Sequence, residues 1–367
     1  MNPEFNRVAI IGVGLIGGSL GMALCARGLA REVVGSGSRV ENLRLAAELG
    51  AIHRFAGSVA EGVAGAELVI IATPVSATIL VLKEILPYLS PGSVVTDVGS
   101  TKASIVSAAG ELLPPGISFA GGHPMAGSER AGVREADQYL FENAFYIVTP
   151  TPETPPAAVD TVSKLADGVG ARLIKMEPEQ HDLAVAAVSH LPYIIAASLV
   201  NTVARIPESE KILPLAAGGF RDTTRIASSS TVMWRDILRA NREQVLSMIR
   251  CFRLELDVFE SVIAAGENEA IQKNLESARE VRSLLPAKAS RFHSNLYEIV
   301  VTVPDQPGVI ASFAAHLANA GINICDIEIM RVREGEGGTI RVGFTTYKEQ
   351  DEAIRTLKNK GYTVRKR

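Results

Sequence analysis

Residues 8–17 read Val-Ala-Ile-Ile-Gly-Val-Gly-Leu-Ile-Gly: four apolar residues, then three glycines in the spacing GxGxxG. The almost uncharged stretch Val8–Ala26 could be a membrane-spanning helix, with Gly14/Gly18 and Gly17/Gly21 as a packing face. Five glycines would weaken a lone spanning helix, whereas a strand, a turn and a helix need them. The reading adopted is a strand over Arg7–Gly12 and a helix from Ile16 to Arg27, with no membrane span. Gly12 then permits the tight turn, Gly14 lets backbone approach a pyrophosphate, and Gly17 allows close helix–strand packing. The free N–H groups of the helix start supply an anion site.

Outward from this turn, short apolar runs alternate with amphipathic stretches. The runs are Val8–Ile11, Glu32–Gly35, Leu68–Ala72, Val94–Asp97, Ser118–Gly121, Phe145–Val148 and Ala171–Met176. Helical spacing covers Val40–Leu49, Ser76–Leu89 and Lys102–Leu112. The alternation predicts βαβ units forming a parallel sheet over residues 1–177. Strand signals vanish over 178–285, where His181–Ala204 and Asn241–Ala264 have helical spacing. Leu183–Val203 and Val245–Ala265 carry so little polar surface that this domain is expected to bury a face against a second copy, as a homodimer. Residues 286–295 read as a linker. Residues 296–367 return to period-two runs, Tyr297–Val303 and Thr339–Tyr347, around helices at Gly308–Ala320 and Gln350–Asn359, a βαββαβ pattern. The terminal Arg365-Lys366-Arg367 reads as a solvated tail.

The chain has 367 residues, 37 Lys+Arg and 40 Asp+Glu, for a formal net charge of −3. That balance gives no global field for holding nucleic acid or an anionic membrane. Hydrophobic residues make up 47% and charged residues 21%, a globular composition with material for several cores. Cys25, Cys251 and Cys325 are scattered, which argues against disulfides and a zinc site and for a reducing, cytoplasmic location.

Three polar segments among glycines and prolines mark candidate chemistry. Asp97-Val98-Gly99-Ser100-Thr101-Lys102 and Gly121–Glu129, which holds His123 and Ser128, each follow a predicted strand. Strand C-termini are where open α/β sheets bind ligands, and a histidine there can take a proton near neutral pH. In Gly218–Arg225, a helix would set Arg221 and Arg225 on one face, suited to carboxylates on a small ligand. The acidic residue expected about 20 positions after the glycine turn to hold a ribose is missing. The chain reads Ser36-Gly37-Ser38-Arg39 there, which leaves NAD and NADP both open.

Together, the GxGxxG start, Asp97–Lys102, Gly122–Glu129, Ser189-His190-Leu191-Pro192, Gly219–Ala227 and Met233-Trp234-Arg235-Asp236 resemble the prephenate dehydrogenase family over roughly residues 6–285. The resemblance implies a Rossmann-type dinucleotide-binding domain and an all-α dimerisation domain. It further implies oxidative decarboxylation of prephenate to 4-hydroxyphenylpyruvate, in tyrosine biosynthesis, with hydride passing to NAD or NADP. By it His123 is the base at the ring hydroxyl, Ser100 orients that hydroxyl, and Arg225, Arg221, Ser128 and His190 line the substrate. The cofactor would lie against Gly12, Gly14, Leu15, Ile16, Gly17, Ser38, Arg39, Thr73 and Pro74. His181 reads as structural. Tyr193 stands where the family often has a second histidine, so arogenate dehydrogenase is the near alternative. A β-hydroxyacid dehydrogenase or imine reductase, and a dinucleotide and amino-acid sensor without turnover, are more distant alternatives. Val303–Val309 and Asn319–Ile324 resemble the ACT module, which implies an amino-acid site at Asp305, Gly308, Val309, Asn323 and Ile324, with tyrosine as effector.

Overall fold

A computed structural model of the chain describes residues 3–127, 131–284, 296–304, 306–330 and 338–366. The expected linker 286–295, Ser128 and Asp305 lie outside the described residues. The chain divides into two compact units, residues 1–261 and 262–367.

The first unit is built on six parallel strands: β1 (Phe5–Ile11), β2 (Ala30–Ser36), β3 (Arg54–Phe55), β4 (Leu68–Ile71), β5 (Val94–Asp97) and β6 (Ser118–Phe119). Their order is β3-β2-β1-β4-β5-β6, with the reversal between β1 and β4 that opens a ligand crevice at the strand ends. The period of two sends alternate residues to opposite faces. Val8, Ile10, Leu68 and Ile70 pack with Leu20 and Leu24 on one side; Ala9, Ile11, Val69 and Ile71 pack with Leu82, Ile85 and Ile105 on the other. Val8–Ala26 is therefore strand, turn and helix (Leu15–Ala26), as its glycines require.

Two sequence expectations are corrected here. Ser118–Gly121 is not one strand of the parallel sheet: β6 stops at Phe119, and β7 (Gly121–Pro124) pairs antiparallel with β8 (Phe145–Thr149). β8 in turn pairs parallel with β9 (Arg172–Lys175), forming a separate mixed sheet. The chain leaves the first sheet because side chains claim the Gly122 backbone. Asp97 Oδ1 accepts from Gly122 N at 3.4 Å, and Lys102 Nζ donates to Gly122 O at 2.9 Å.

Helical elements then run from Pro178 to Ala265. Pro178–Ala204 is continuous, 27 residues, and apolar enough to cross a membrane by length and composition. It carries the polar residues His181, Asp182 and His190, all buried. A π turn over Ala186–His190 interrupts its α geometry just before Pro192, which has no N–H to continue the ladder. Val188 and Leu254 are 70% and 64% exposed, so these helices show apolar side chains outward.

In the second unit a helix over Asn268–Leu284 precedes four antiparallel strands: β10 (Tyr297–Val303), β11 (Asp326–Met330), β12 (Gly338–Phe344) and β13 (Thr363–Lys366). Their order is β11-β12-β10-β13, and helices Val309–Asn319 and Tyr347–Asn359 complete a βαββαβ fold. Thr346 and Glu349 close the start of the second helix as a capping box. Arg365 and Lys366 are not a tail. They pair with Val300 and Ile299 in β13, and Lys366 Nζ lies 4.1 Å over the Tyr347 ring.

Candidate active site

The glycine turn has the shape a dinucleotide requires. Gly12 has φ +94°, and a Cβ on it would fall 2.6 Å from Ala72 O; one on Gly17 would fall 2.3 Å from Gly12 O. A Cβ on Gly14 would meet nothing within 4 Å, so the face where a pyrophosphate would lie is open. Leu15 and Ile16 begin the helix whose N-terminus points at that face. Thr73 and Pro74 follow β4, and Thr73 Oγ1 is buried with no hydrogen-bond partner among the described residues. These residues fit a bound dinucleotide. Ser38 and Arg39 are exposed just beyond β2.

His123 sits on β7, beside the end of β5, and is 9% exposed. Its Nδ1 lies 2.8 Å from His181 Nε2, and His181 Nδ1 lies 2.8 Å from Asp182 Oδ1. Asp182 Oδ1 also accepts from Lys102 N at 2.7 Å, and its Oδ2 accepts from Ala103 N at 3.0 Å. A carboxylate from the helical segment thus caps the helix Ala103–Leu112, where the helix dipole favours negative charge. Asp182 acts here as an acceptor, so His181 Nδ1 carries the proton. His181 Nε2 then accepts from His123 Nδ1–H, and His123 Nε2 keeps a free lone pair. His181, which reads as structural in the sequence, is therefore hydrogen-bonded directly to His123.

Below His123 lies an ion pair with no exposure at all. Lys102 Nζ bonds Asp97 Oδ2, and Asp97 Oδ2 also accepts from Gly99 N at 2.9 Å. Burial lowers the Lys102 pKa, opposed by the charge of Asp97. Burial first, then the neighbouring His181 and Lys102 charges, hold the His123 pKa well below its usual value. His123 is thus a neutral imidazole near pH 7.

His190 closes the other side. Asn241 Nδ2 donates to Asp182 O at 2.7 Å and lies 3.2 Å from His190 Nδ1, tying the two together. Burial lowers the His190 pKa to about 4, although Asp182 opposes the shift. The His190 ring meets Trp234 edge-on, and Tyr193 stacks on Trp234 with centroids 3.8 Å apart. Ser76 Oγ donates to Asp236 Oδ2 at 2.6 Å, so the helix after Pro74 is fastened to the helix bearing Trp234.

Other expected residues stand further from this cluster or only at its edge. Ser100 is half-buried in the loop after β5. Helix Gly218–Thr224 ends with Arg225 as its C-cap, still helical at φ −51° and ψ −43°, so the four-residue spacing survives. Both arginines are exposed, and Arg221 Nε donates back to Ala216 O at 3.1 Å. The turn Arg225–Ser228 packs against the helix Leu191–Ala204, which begins beside His190. In the second unit Gly308 has φ +86° at the start of helix Val309–Asn319, and Asn323 is exposed with Ile324 half-buried.

Comparisons with known proteins point to one family. A family model described as "Prephenate dehydrogenase, nucleotide-binding domain" matches residues 20–175, and one described as "Prephenate dehydrogenase, dimerization domain" matches 177–277. The prephenate dehydrogenase of Bacillus subtilis (strain 168) is 39% identical over 358 residues, 96% of each chain. That of Lactococcus lactis subsp. cremoris (strain MG1363) is 34% identical over 351 residues, covering 95% of this chain and 96% of its own. The crystal structure of A. aeolicus prephenate dehydrogenase with hydroxyphenyl propionate and NAD+ superposes with a TM-score of 0.72 at 32% identity. It covers 76% of this chain and 97% of its own.

Proposed function

This chain belongs to the prephenate dehydrogenase family, and from that premise we propose how its site carries out oxidative decarboxylation of prephenate to 4-hydroxyphenylpyruvate with NAD(P)+ as oxidant. Relatives aligned over nearly the whole chain are prephenate dehydrogenases, which favours prephenate over arogenate as substrate.

The observation that carries the mechanism is the chain His123–His181–Asp182. The free lone pair of His123 Nε2 accepts a hydrogen bond from the ring hydroxyl of the substrate. The bound dinucleotide supplies the acceptor for the hydride that leaves the carbinol carbon. As that bond breaks, His123 takes the hydroxyl proton, and the positive charge can move through His181 Nε2 toward Asp182. The ring carboxylate departs as CO₂, its electron pair completes the aromatic ring, and His123 returns the proton to the phenolic oxygen. Burial of His123 keeps it unprotonated and ready at neutral pH. Ser100 orients the hydroxyl from the end of β5. Arg225, with Arg221 and Ser128, holds the substrate carboxylates as bidentate guanidinium partners and donors. His190 and the Tyr193–Trp234 stack wall the ring.

Replacing His123 with Asn tests this. Dinucleotide binding should persist while kcat falls by about 10²–10⁴-fold; undiminished turnover would reject the mechanism.

The exposed apolar side chains of the helical segment support a homodimer built on it, and the related biosynthetic enzymes support a cytoplasmic location. The βαββαβ fold of residues 297–366 supports an ACT domain with tyrosine as effector, bound near Gly308, Val309, Asn323, Ile324 and Asp305. Sedimentation and turnover followed through one tyrosine titration test both readings. A monomer at micromolar concentration would sink the first, and turnover indifferent to tyrosine would sink the second.

A further inference from the structure

The reaction leaves Asn241 without a task, although its side chain is buried among the histidines. Asn241 forms the joint between two helices, Thr231–Ala240 and Arg242–Ala265, and is 4% exposed. Its N–H donates to Ile237 O at 2.9 Å and its carbonyl accepts from Val245 N at 3.0 Å, so helical bonds hold its backbone from both sides. Its Nδ2 carries two hydrogens, and each has an acceptor: Asp182 O at 2.7 Å and His190 Nδ1 at 3.2 Å. A backbone carbonyl cannot donate, so the Asp182 contact fixes which end of the amide is nitrogen. An amide nitrogen cannot accept, so His190 Nδ1 is the acceptor. In the neutral ring the proton then sits on Nε2.

The ring stays neutral because it is buried. Burial holds the His190 pKa down at about 4; Asp182 favours the charged form, His181 opposes it, and the Asn241 amide adds no charge. A protonated His190 would also hold down the basicity of His123, which lies within range of its charge.

The substrate gives this tautomer a use. Prephenate donates one hydrogen bond, from its ring hydroxyl, while its two carboxylates and its ketone only accept. His123 Nε2 takes the one donor. Every other group that meets the substrate has to donate, and a second imidazole lone pair in the pocket would face acceptors alone. We propose that Asn241 is a positioning residue for the reaction: by donating to His190 Nδ1 it holds His190 as the Nε2–H tautomer, a donor toward substrate oxygens that does not compete with His123 as base. The proposal rests on the prephenate reading above. Through Asp182 O the same amide is tied to the residue that orients His181, so one side chain sets the polarity of the donor His190 and steadies the acceptor His123.

The test reads the tautomer by nitrogen NMR of the full chain with isotope-labelled histidine, the His190→Gln variant identifying the resonances. In the wild-type chain at neutral pH, His190 Nδ1 should be unprotonated and Nε2 protonated. Asn241→Asp keeps the shape and puts an acceptor where the donor was, so it should bring a proton to His190 Nδ1. It should also lower kcat for prephenate by about 10²-fold, the scale of a misplaced contact, with dinucleotide affinity unchanged. A proton on Nδ1 in the wild-type chain would overturn the proposal, and that measurement needs no variant to fold. So would undiminished turnover in Asn241→Asp, or lost turnover with Nδ1 still bare, which would make Asn241 merely structural. Each of these leaves the decarboxylation reading intact. A wild-type chain with the expected tautomer and no turnover of prephenate would overturn that reading, and the donor role with it.

Discussion

Lys102 and Arg341 are both cations anchored by carboxylates at a β-sheet, and they sit in opposite environments. Lys102 and Asp97 are fully buried under His123. Arg341, on β12, reaches Glu298 on β10 and Asp326 and Glu328 on β11, with its own side chain 20% exposed and theirs 23–46%. The buried pair has one carboxylate and two further jobs: Lys102 Nζ pins Gly122 O, next to His123, and Lys102 N pins Asp182. The half-buried Arg341 has three carboxylates. The difference shows what each arrangement is for. Taking two charges out of water costs more than a simple anchor returns, so a buried pair is kept for the geometry it enforces. Here that geometry sets both ends of the His123–His181–Asp182 chain.

Removing Lys102 is the largest expected break. Lys102→Met should lower unfolding free energy by about 3–5 kcal/mol, because Asp97 is left buried without its counter-charge. It should also lower kcat, since Gly122 loses its anchor and His123 its placement. Adding Asp97→Leu should recover much of the stability, because an apolar pair of similar volume avoids the desolvation cost. It should not recover kcat. Full recovery of both would reduce the pair to filler, and a loss under about 1 kcal/mol for the single variant would show it is not buried in solution.

The pH dependence is a smaller lever on the same region. His123 and His190 have folded pKa values below their unfolded ones, chiefly through burial. The unfolded chain therefore binds more protons in acid. Stability is complete above the unfolded value of about 6.5 and falls as pH drops through the window toward about 4, where His190 protonates in the fold. The acid limb of kcat/KM should likewise lie below about 6.5, the value for an exposed histidine. An acid limb at or above that value would mean that His123 is solvated, or that the base is another group.

Much of the fold is legible in the residues because its signals are local. The apolar run Val8–Ile11 and the glycines at 12, 14 and 17 lie within ten positions, and Gly12 and Gly17 answer contacts within the same strand–turn–helix or with Ala72 just past β4, while Gly14 leaves an open face. The βαββαβ pattern of the last 70 or so residues is legible for the same reason. The candidate catalytic chain is not, because it is a tertiary object: His123 and His181 are 58 positions apart, and Lys102 and Asp182 are 80. A signal was present in His181-Asp182, adjacent polar residues on the buried face of an otherwise apolar helix, but His181 alone reads as structural. Lys102 gives still less warning, since lysine before a helix is ordinarily solvated. Arg365 and Lys366 misled in the other direction. Their charge suggests a tail, yet an edge strand such as β13 accommodates charged side chains on its solvent side and is protected from further pairing by them.

The smallest expected effect lies at Arg341, and ionic strength is what separates it from Lys102. Arg341→Ala removes three ion pairs, which by count alone should outweigh the loss of one. All four side chains keep contact with water, however, and each exposed pair is worth about 0–1 kcal/mol. Asp326 and Glu328, 38% and 46% exposed, can turn outward and be solvated, whereas Asp97 cannot. Unfolding of the C-terminal unit should therefore shift by about 1 kcal/mol or less. That shift should shrink further as salt is raised from about 0.1 M to about 1 M, where the screening length falls from about 10 Å to about 3 Å. The Lys102→Met loss should hold across the same range, since mobile ions do not reach a fully buried pair. An Arg341→Ala loss of several kcal/mol that persists in high salt would show that the number of partners, not their burial, sets the strength of these anchors.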